Sequence, residues 1–397
     1  MKKKKFIVIW PMIFREFDYY RLELSELCKN FDVEIHELSN IFDSGLSKIY
    51  NPKTICKRKI VKRFSSLTYW IKNFFKISKK YQIVVMYNFH TNSFKKFTVR
   101  FILSLMNITI IRYSKENLPD YKINSKLFFY KFKKNLNFKI GFFYINNIFF
   151  NFISKSFSEN YLLSMTSNNF QKEKKINKRS KIIKASSYDY SNALMYKPNK
   201  NDKRFDKLSY SILLDTPGPK NIGDEYVYRT KAVPINNWYK SINNFFSFLE
   251  KNFKLKCKIA PHPKTMPEKF SKEFDYRETV FNKLAYVAKK AKIIISKVPG
   301  STAIIYAALY NKPLIFVYSD EYKKNKQAMQ NLNLMTKELN TKPINIDKKY
   351  SIKILKKIMK IKKKNYDRYL RKFATARNDK KPNHLVLKSI LKKIFEN

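Results

Sequence analysis

His262 stands between two prolines, in Pro261-His262-Pro263-Lys264, and is one of only four histidines in a chain of 397 residues. Flanking prolines restrict the backbone, and an imidazole held in this way can donate to a phosphate oxygen. Further on, the run AKIIISKVPG leads into Ser301-Thr302-Ala303. Gly300 permits a tight turn there. Ser301 or Thr302 can act as a helix N-cap, and the amides of the first turn favour an anion. Lys264 and Arg277 add positive charge nearby, Arg277 with bidentate geometry. A Ser-Thr helix start is by itself an ordinary cap, and it is the pairing with the His-Pro loop that suggests a phosphate site. The candidate phosphate-binding set is therefore His262, Pro263, Lys264, Arg277, Gly300, Ser301 and Thr302.

If the phosphate belongs to a group that is transferred, the reaction also needs a base beside the group that receives it. Glu16 and Asp18 follow the first apolar run, where they equally suit the N-terminal end of a helix. His90 follows Gln82–Tyr87, and Asp215 follows Tyr210–Leu214. These four are the catalytic candidates. Asp18, Asp43 and Asp120 stand singly, so no Asp-x-Asp metal site is indicated. Cys28, Cys56 and Cys257 lie far apart without a CxxC pair, which argues against zinc or a disulfide framework and for a reducing compartment. No cofactor and no metal is implied.

These residues need elements to position them. Phe6–Trp10 is a compact strand run, Phe17–Lys29 has helical spacing, and Val33–Leu38 alternates as a strand; a turn is expected at Asn40–Gly45. A basic helix is expected over Ile60–Ser78, a strand over Gln82–Tyr87, a helix over Phe97–Met106 and a strand over Ile108–Tyr113. Order then lapses between Ser164 and Phe205, a polar region with a short strand at Lys181–Ala185, read as inter-domain. The alternation restarts with strands at Tyr210–Leu214, Leu255–Ala260, Lys292–Ser296 and Leu314–Tyr318. Helices are expected at Asn236–Lys251, Arg277–Ala291 and Ser301–Tyr310, and again at Ser351–Lys372 and Asn383–Phe395. Strand–helix alternation indicates parallel sheets covered on both faces. The fold class is α/β, two Rossmann-like doubly wound domains facing a cleft: residues 1–185 on the acceptor side, 206–350 on the nucleotide-binding side, and a basic helical tail over 351–397.

The formal net charge is +53, with basic stretches at Lys2–Lys5, Lys57–Arg63, Lys172–Lys184 and Lys348–Lys372. Nucleic acid or an anionic membrane surface would match such a field, although a Lys-, Asn- and Ile-rich composition with five Gly also reflects an AT-rich genome. No nucleic-acid-binding signature accompanies the charge, so nucleic acid is the disfavoured partner. Lys348–Lys372 holds twelve Lys or Arg against one acid, Asp367, and is the expected membrane contact. No stretch is long and apolar enough to span a bilayer. Ile140–Ser154 comes nearest and suits a buried element or an interfacial segment. The expected location is cytoplasmic, peripheral at the inner membrane face.

The runs KLKCKIAPHPK, YRET and IIISKVPGSTAIIYAALYNKPLIFVYSDE together resemble the His-Pro and Ser/Thr motifs of bacterial capsule and lipopolysaccharide glycosyltransferases of GT-B type. Capsular sialyltransferases, Kdo transferases and polyol-phosphate polymer transferases carry versions of this pair. The resemblance covers roughly 210–320. It implies donor binding by His262, Pro263, Ser301 and Thr302, a CMP- or UDP-linked sugar donor, and a glycan or lipid-linked glycan acceptor in surface-polysaccharide synthesis. A polyol-phosphate transferase of similar fold is the neighbouring alternative. The sequence departs from the sialyltransferases in lacking an acidic-acidic-Gly triplet. It also reads Ser296-Lys297-Val298-Pro299-Gly300 where relatives often have Asp or His.

Overall fold

Short runs of Ile, Val, Leu and aromatics, bounded by polar turns, become strands buried on both faces, as a parallel sheet requires. The computed structural model describes residues 3–43, 45, 55–89, 91, 93–114, 149–150, 152–153, 157, 159–198, 202–215, 235–262, 270–281, 283–297, 301–324 and 326–396. Strands β1 (Lys3–Trp10), β2 (Asp32–Glu37), β3 (Val61–Arg63), β4 (Tyr81–Tyr87), β5 (Thr109–Tyr113), β6 (Tyr161–Ser164) and β7 (Lys181–Lys184) form one parallel sheet. Its order is β3-β2-β1-β4-β5-β6-β7. In such a sheet the direction of winding reverses between β1 and β4, which opens a crevice at their carboxyl ends.

The second domain contains β8 (Tyr210–Leu214), β9 (Lys256–Ala260), a small antiparallel pair β10 (Phe270–Ser271) and β11 (Arg277–Glu278), then β12 (Ile293–Ser296), β13 (Leu314–Tyr318) and β14 (Ile344–Asn345). Its parallel sheet has the order β14-β13-β12-β8-β9, so winding reverses between β8 and β12. Each sheet separates two apolar cores. Phe6, Val8 and Trp10 enter one, and Ile7 and Ile9 the other. In the second domain Ile212 and Leu214 face one core while Leu213 faces the core beneath helix Ile235–Phe253. Each large apolar side chain buried this way contributes roughly 1.5–3 kcal/mol.

Several elements differ from the sequence expectation. The helix expected over Phe17–Lys29 is broken into Glu16–Arg21 and Leu24–Leu27, because Glu23 adopts φ 56°. A left-handed Glu is disfavoured locally, and the long-range bonds of its carboxylate hold it there. The stretch expected as one helix over Ile60–Ser78 opens with β3 before helix Leu67–Lys80 begins. Ser39–Phe42 is a short helix where a turn was expected. Between Arg277 and Ala291 the chain forms β11 before helix Leu284–Lys290. Between Ser164 and residue 198 the segment read as lapsing in order contains helix Ser167–Ile176, β7 and helix Tyr188–Met195. Most of Ile140–Ser154 lies outside the described residues.

The stretch 351–397 is shared between the domains. Tyr366, Tyr369 and Phe373 of helix Lys363–Phe373 join a core of the second domain. Val386, Leu387, Ile390, Leu391 and Phe395 of helix Asn383–Glu396 join Phe6 and Val8 in the first. The chain therefore crosses twice. The two crossings pair with each other: Ser187 N–H donates to Ala374 O, Ala376 N–H donates to Ala185 O, and the Asn383 side chain bonds both backbone groups of Ser186. Among the described residues no helix is long and apolar enough to cross a membrane.

Candidate functional site

The carboxyl edge of the second sheet brings together residues far apart in sequence. Leu214 of β8 is in register with Ser296 of β12 and with Ala260 of β9. The next residues, Asp215, Lys297 and Pro261-His262, therefore share one edge, about 5 Å from strand to strand. Asp215 and Lys297 flank the β8/β12 reversal, where open α/β sheets bind ligands. Both continue the face that carries Leu213 and Ile295, towards the start of helix Ile235–Phe253.

Lys297 is the unusual member. It is 6 % exposed, and its Nζ has no hydrogen-bond acceptor among the described residues. The ammonium lies 4.6 Å from the ring centre of the buried Trp238. Burial pushes the Lys297 pKa down, and the Asp215 charge opposes that. Asp215 keeps some accessible surface although protein surrounds it, and burial raises its pKa to about 6, with Lys297 pulling the other way. Tyr239, also on the helix, has its pKa raised by burial and then by the carboxylates of Asp215 and Glu273. A cation for which the described residues offer no acceptor, over an aromatic face and within the field of the Asp215 carboxyl, is costly to bury. Ligand oxygens would supply what it lacks.

Ser301 follows β12 at the same carboxyl edge, but the helix it opens packs on the other face of the sheet, in the core with Ile212 and Ile294. Ser301 caps the turn Thr302–Ile304, its Oγ accepting from Ala303 N at 3.3 Å. The Thr302 hydroxyl donates to the carboxylate of Asp189, on helix Tyr188–Met195 of the crossing segment. Thr302 is thus bound to the protein, and the Ser301 hydroxyl is engaged in its cap bond. His262 is partly buried just past β9. Pro263, Lys264, Gly300 and His90 lie outside the described residues.

Other candidates stand apart. Arg277 begins the outermost strand segment, two residues before Thr279, which bridges Ile259 of β9. This places Arg277 level with Cys257, near the amino end of the strand. Its guanidinium donates to Glu250 at 2.8 and 3.0 Å, to Asn243 Oδ1 at 3.1 Å and to Phe274 O at 3.2 Å. The structure does not bring it to the Ser301 loop. Asp18 is 1 % exposed, and its carboxylate accepts from Arg15 Nε at 2.8 Å and Nη2 at 3.0 Å and from Arg15 N at 3.1 Å. It closes the N-terminus of helix Glu16–Arg21. Glu16 remains partly exposed, paired with Arg58 at 2.5 Å. Among the described residues no three His, Cys, Asp or Glu cluster as metal ligands.

Trp238 and Asp189 were not singled out by sequence, and Lys297 entered only within the departure Ser296–Gly300, with no role assigned. Only the position of Lys297, directly after a strand, carried a signal.

No family model matches the sequence, and no curated protein does. Solved structures match over the whole chain. A Listeria monocytogenes protein described as a UDP-N-acetylglucosamine 2-epimerase gives a TM-score of 0.50 at 10 % identity, covering 100 % of this chain and 98 % of that one. TcCGT1 in complex with UDP gives 0.51 at 10 % identity, covering 99 % and 100 %. At such identities the likeness speaks for the fold alone: the chain has the GT-B architecture of two Rossmann-like domains.

Proposed function

We propose that the protein is a nucleotide-sugar-dependent glycosyltransferase that transfers a sugar, without a metal, to a glycan or lipid-linked glycan acceptor in bacterial surface-polysaccharide synthesis at the cytoplasmic face of the membrane. The observation that carries this reading is Lys297. Its buried ammonium at the β8/β12 reversal, for which the described residues offer no acceptor, suits the phosphates of a nucleotide diphosphate or monophosphate sugar. In this reading Ser301 and His262 add donors from the two adjoining loops, and Lys297 neutralises charge on the departing phosphate. Asp215 is the group of this cluster able to take up a proton near neutrality. UDP is the favoured nucleotide, because TcCGT1, which shares the fold, is described in complex with UDP; CMP is the alternative drawn from the motif resemblance.

The test is a thermal-shift series with UDP, CMP, GDP and CDP and their sugar conjugates. A ligand at about 100 times its Kd stabilises by roughly 2.7 kcal/mol. One nucleotide should stabilise the wild type, and Lys297→Met should not respond. No response to any nucleotide sinks the reading. Donor conversion to an epimer without an acceptor would replace transfer by epimerisation, the activity named for the Listeria protein.

A further inference from the structure

One face of the first domain combines exposed aromatic side chains with rows of lysine. Helices Leu67–Lys80 and Phe94–Leu105 cover the same side of the seven-stranded sheet and share one core through Trp70, Phe74, Val99 and Leu103. Their outer surfaces contain no acidic residue, since neither LTYWIKNFFKISKK nor FKKFTVRFILSL has an Asp or Glu. On the first helix Lys72, Lys76 and Lys79 repeat along one exposed stripe with Phe75 between them. On the second, Phe94 is 65 % exposed and Leu105 69 %, with Phe101 between them also exposed.

The aromatic surface continues beyond the helix. Phe150 packs on Phe97 at 5.7 Å and on Phe94 at 6.3 Å. Its neighbours Phe149 and Phe152 are exposed, Phe152 by 71 %. They belong to residues 140–154, which hold no charged residue in a chain that is 28 % charged. Isolated exposed apolar residues are ordinary, but a joined group marks an interaction surface.

We infer that this face docks on an anionic lipid bilayer, with Phe94, Phe101, Leu105, Phe149 and Phe152 entering the interface and Lys72, Lys76 and Lys79 resting on the headgroups. Charge complementarity selects that occupant, because apolar side chains that insert beside cations that stay hydrated match the two layers of a bilayer surface. Phe94 follows β4, so the aromatic group begins on the carboxyl edge of the sheet, the side from which an acceptor enters. A lipid-borne acceptor would then reach the site without leaving the membrane; that last step rests on the transferase reading, whereas the docking itself does not. The basic stretch Lys348–Lys372 is a weaker surface, because its exposed Ile352, Ile354 and Ile361 stand singly among lysines.

Co-sedimentation with vesicles of phosphatidylglycerol and phosphatidylcholine, against phosphatidylcholine alone, tests the inference on the full chain. The wild type should bind the mixed vesicles, and binding should weaken by roughly fivefold for each of Lys72, Lys76 and Lys79 changed to Gln. The variant Phe94→Ser/Phe101→Ser/Leu105→Ser should lose vesicle binding with its circular dichroism and melting temperature retained, since all three sites are exposed. Ile354→Ser/Ile361→Ser should bind like wild type. The inference is overturned if the wild type ignores anionic vesicles, if the Phe/Leu variant binds unchanged, or if the loss tracks the Ile354 and Ile361 variant instead. Retention of single-stranded RNA by the same lysines, with no vesicle binding, would also overturn it. Nucleotide-induced thermal shifts are read separately, so failure here leaves the donor-site reading standing.

Discussion

The carboxylate of Glu23 accepts the backbone N–H of His384 at 2.7 Å and lies 2.8 Å from its ring Nδ1, across 361 residues of chain. The same side chain accepts from the hydroxyl of Ser191, on the crossing helix Tyr188–Met195. One buried carboxylate near the N-terminus thus holds both places where the chain passes between domains. The left-handed backbone at Glu23 follows from this, since no local preference favours it.

Deleting residues 383–397 should therefore unfold the first domain, although it removes only the last helix. Five buried apolar side chains leave the core that contains Phe6 and Val8. At roughly 1.5–3 kcal/mol each, their loss is comparable with the whole stability of a domain. Glu23→Ala should cost less, about 2–4 kcal/mol, by stranding the His384 and Ser191 donors. Limited proteolysis and denaturant melts would show both; a stable, protease-resistant deletion variant would contradict the packing.

Lys297→Met separates a ligand role from a structural one. A buried lysine with no acceptor among the described residues costs stability, so its replacement by a similar apolar side chain should leave the free protein as stable or up to about 3 kcal/mol more stable. Nucleotide-induced stabilisation should vanish in the same variant. Loss of stability in the free protein, with nucleotide response intact, would assign Lys297 to the fold.

Asp215 gives a pH signature. Burial raises its carboxyl to about 6. Such a group favours the folded state when protonated, so its contribution is present at low pH, declines as pH rises above about 4 and is gone above about 6. Ionisation also puts a negative charge beside Lys297, so nucleotide affinity should fall as pH rises through about 6. Asp215→Asn should bind nucleotide more tightly than wild type at pH 7 and show no such step. Titration calorimetry at pH 5 and 7.5 decides; equal pH dependence in both proteins would remove Asp215 from the site.

The bond from Thr302 to Asp189 ties the Ser301 loop to the crossing helix. Thr302→Val leaves a buried carboxylate without that donor and should destabilise by roughly 1–3 kcal/mol. Nucleotide affinity should weaken with it, because the loop loses its anchor. Ser301→Ala should weaken nucleotide binding with a smaller stability loss, about 1 kcal/mol for a cap. Equal effects of the two changes on stability would argue against this division.

The first domain contains a buried ionic network that predicts acid sensitivity. His36 Nε2 lies 2.7 Å from Glu34 Oε1, its Nδ1 accepts from Trp70 Nε1 at 3.1 Å, and Lys5 and Lys62 reach Glu34 Oε2 at 3.1 and 2.9 Å. Burial pushes Glu34 up, but the bonds from His36, Lys62 and Lys5 outweigh it and hold the carboxyl at about 2. Burial lowers the pKa of His36 despite Glu34. Both depressed values act in one direction: the stabilisation is complete above about 6.5 and is lost as pH falls, first as His36 must charge and then as Glu34 protonates. Denaturant melts from pH 8 to pH 3 should decline in that window. Glu34→Gln should flatten the part of the decline below about 4.5.

The parallel α/β class, the two domains and most strands were legible from sequence, because short apolar runs such as YSILL and QIVVMY between helical stretches admit few other arrangements. Asp215, His262 and Ser301 were legible as loop residues following strands. Period and turn chemistry are local properties, and these features depend on little else. What only the tertiary structure decided depends on distant partners. The break at Glu23 exists because of Ser191 and His384, and Arg277 is drawn away from the Ser301 loop by Glu250 and Asn243. Asp18 is enclosed by Arg15, a local pairing that its position between strand and helix left open. The last helix belongs to the first domain because its apolar face completes that core. Lys297 acquires chemical meaning only once β12 is placed beside β8, since strand order is a long-range choice that no local pattern encodes.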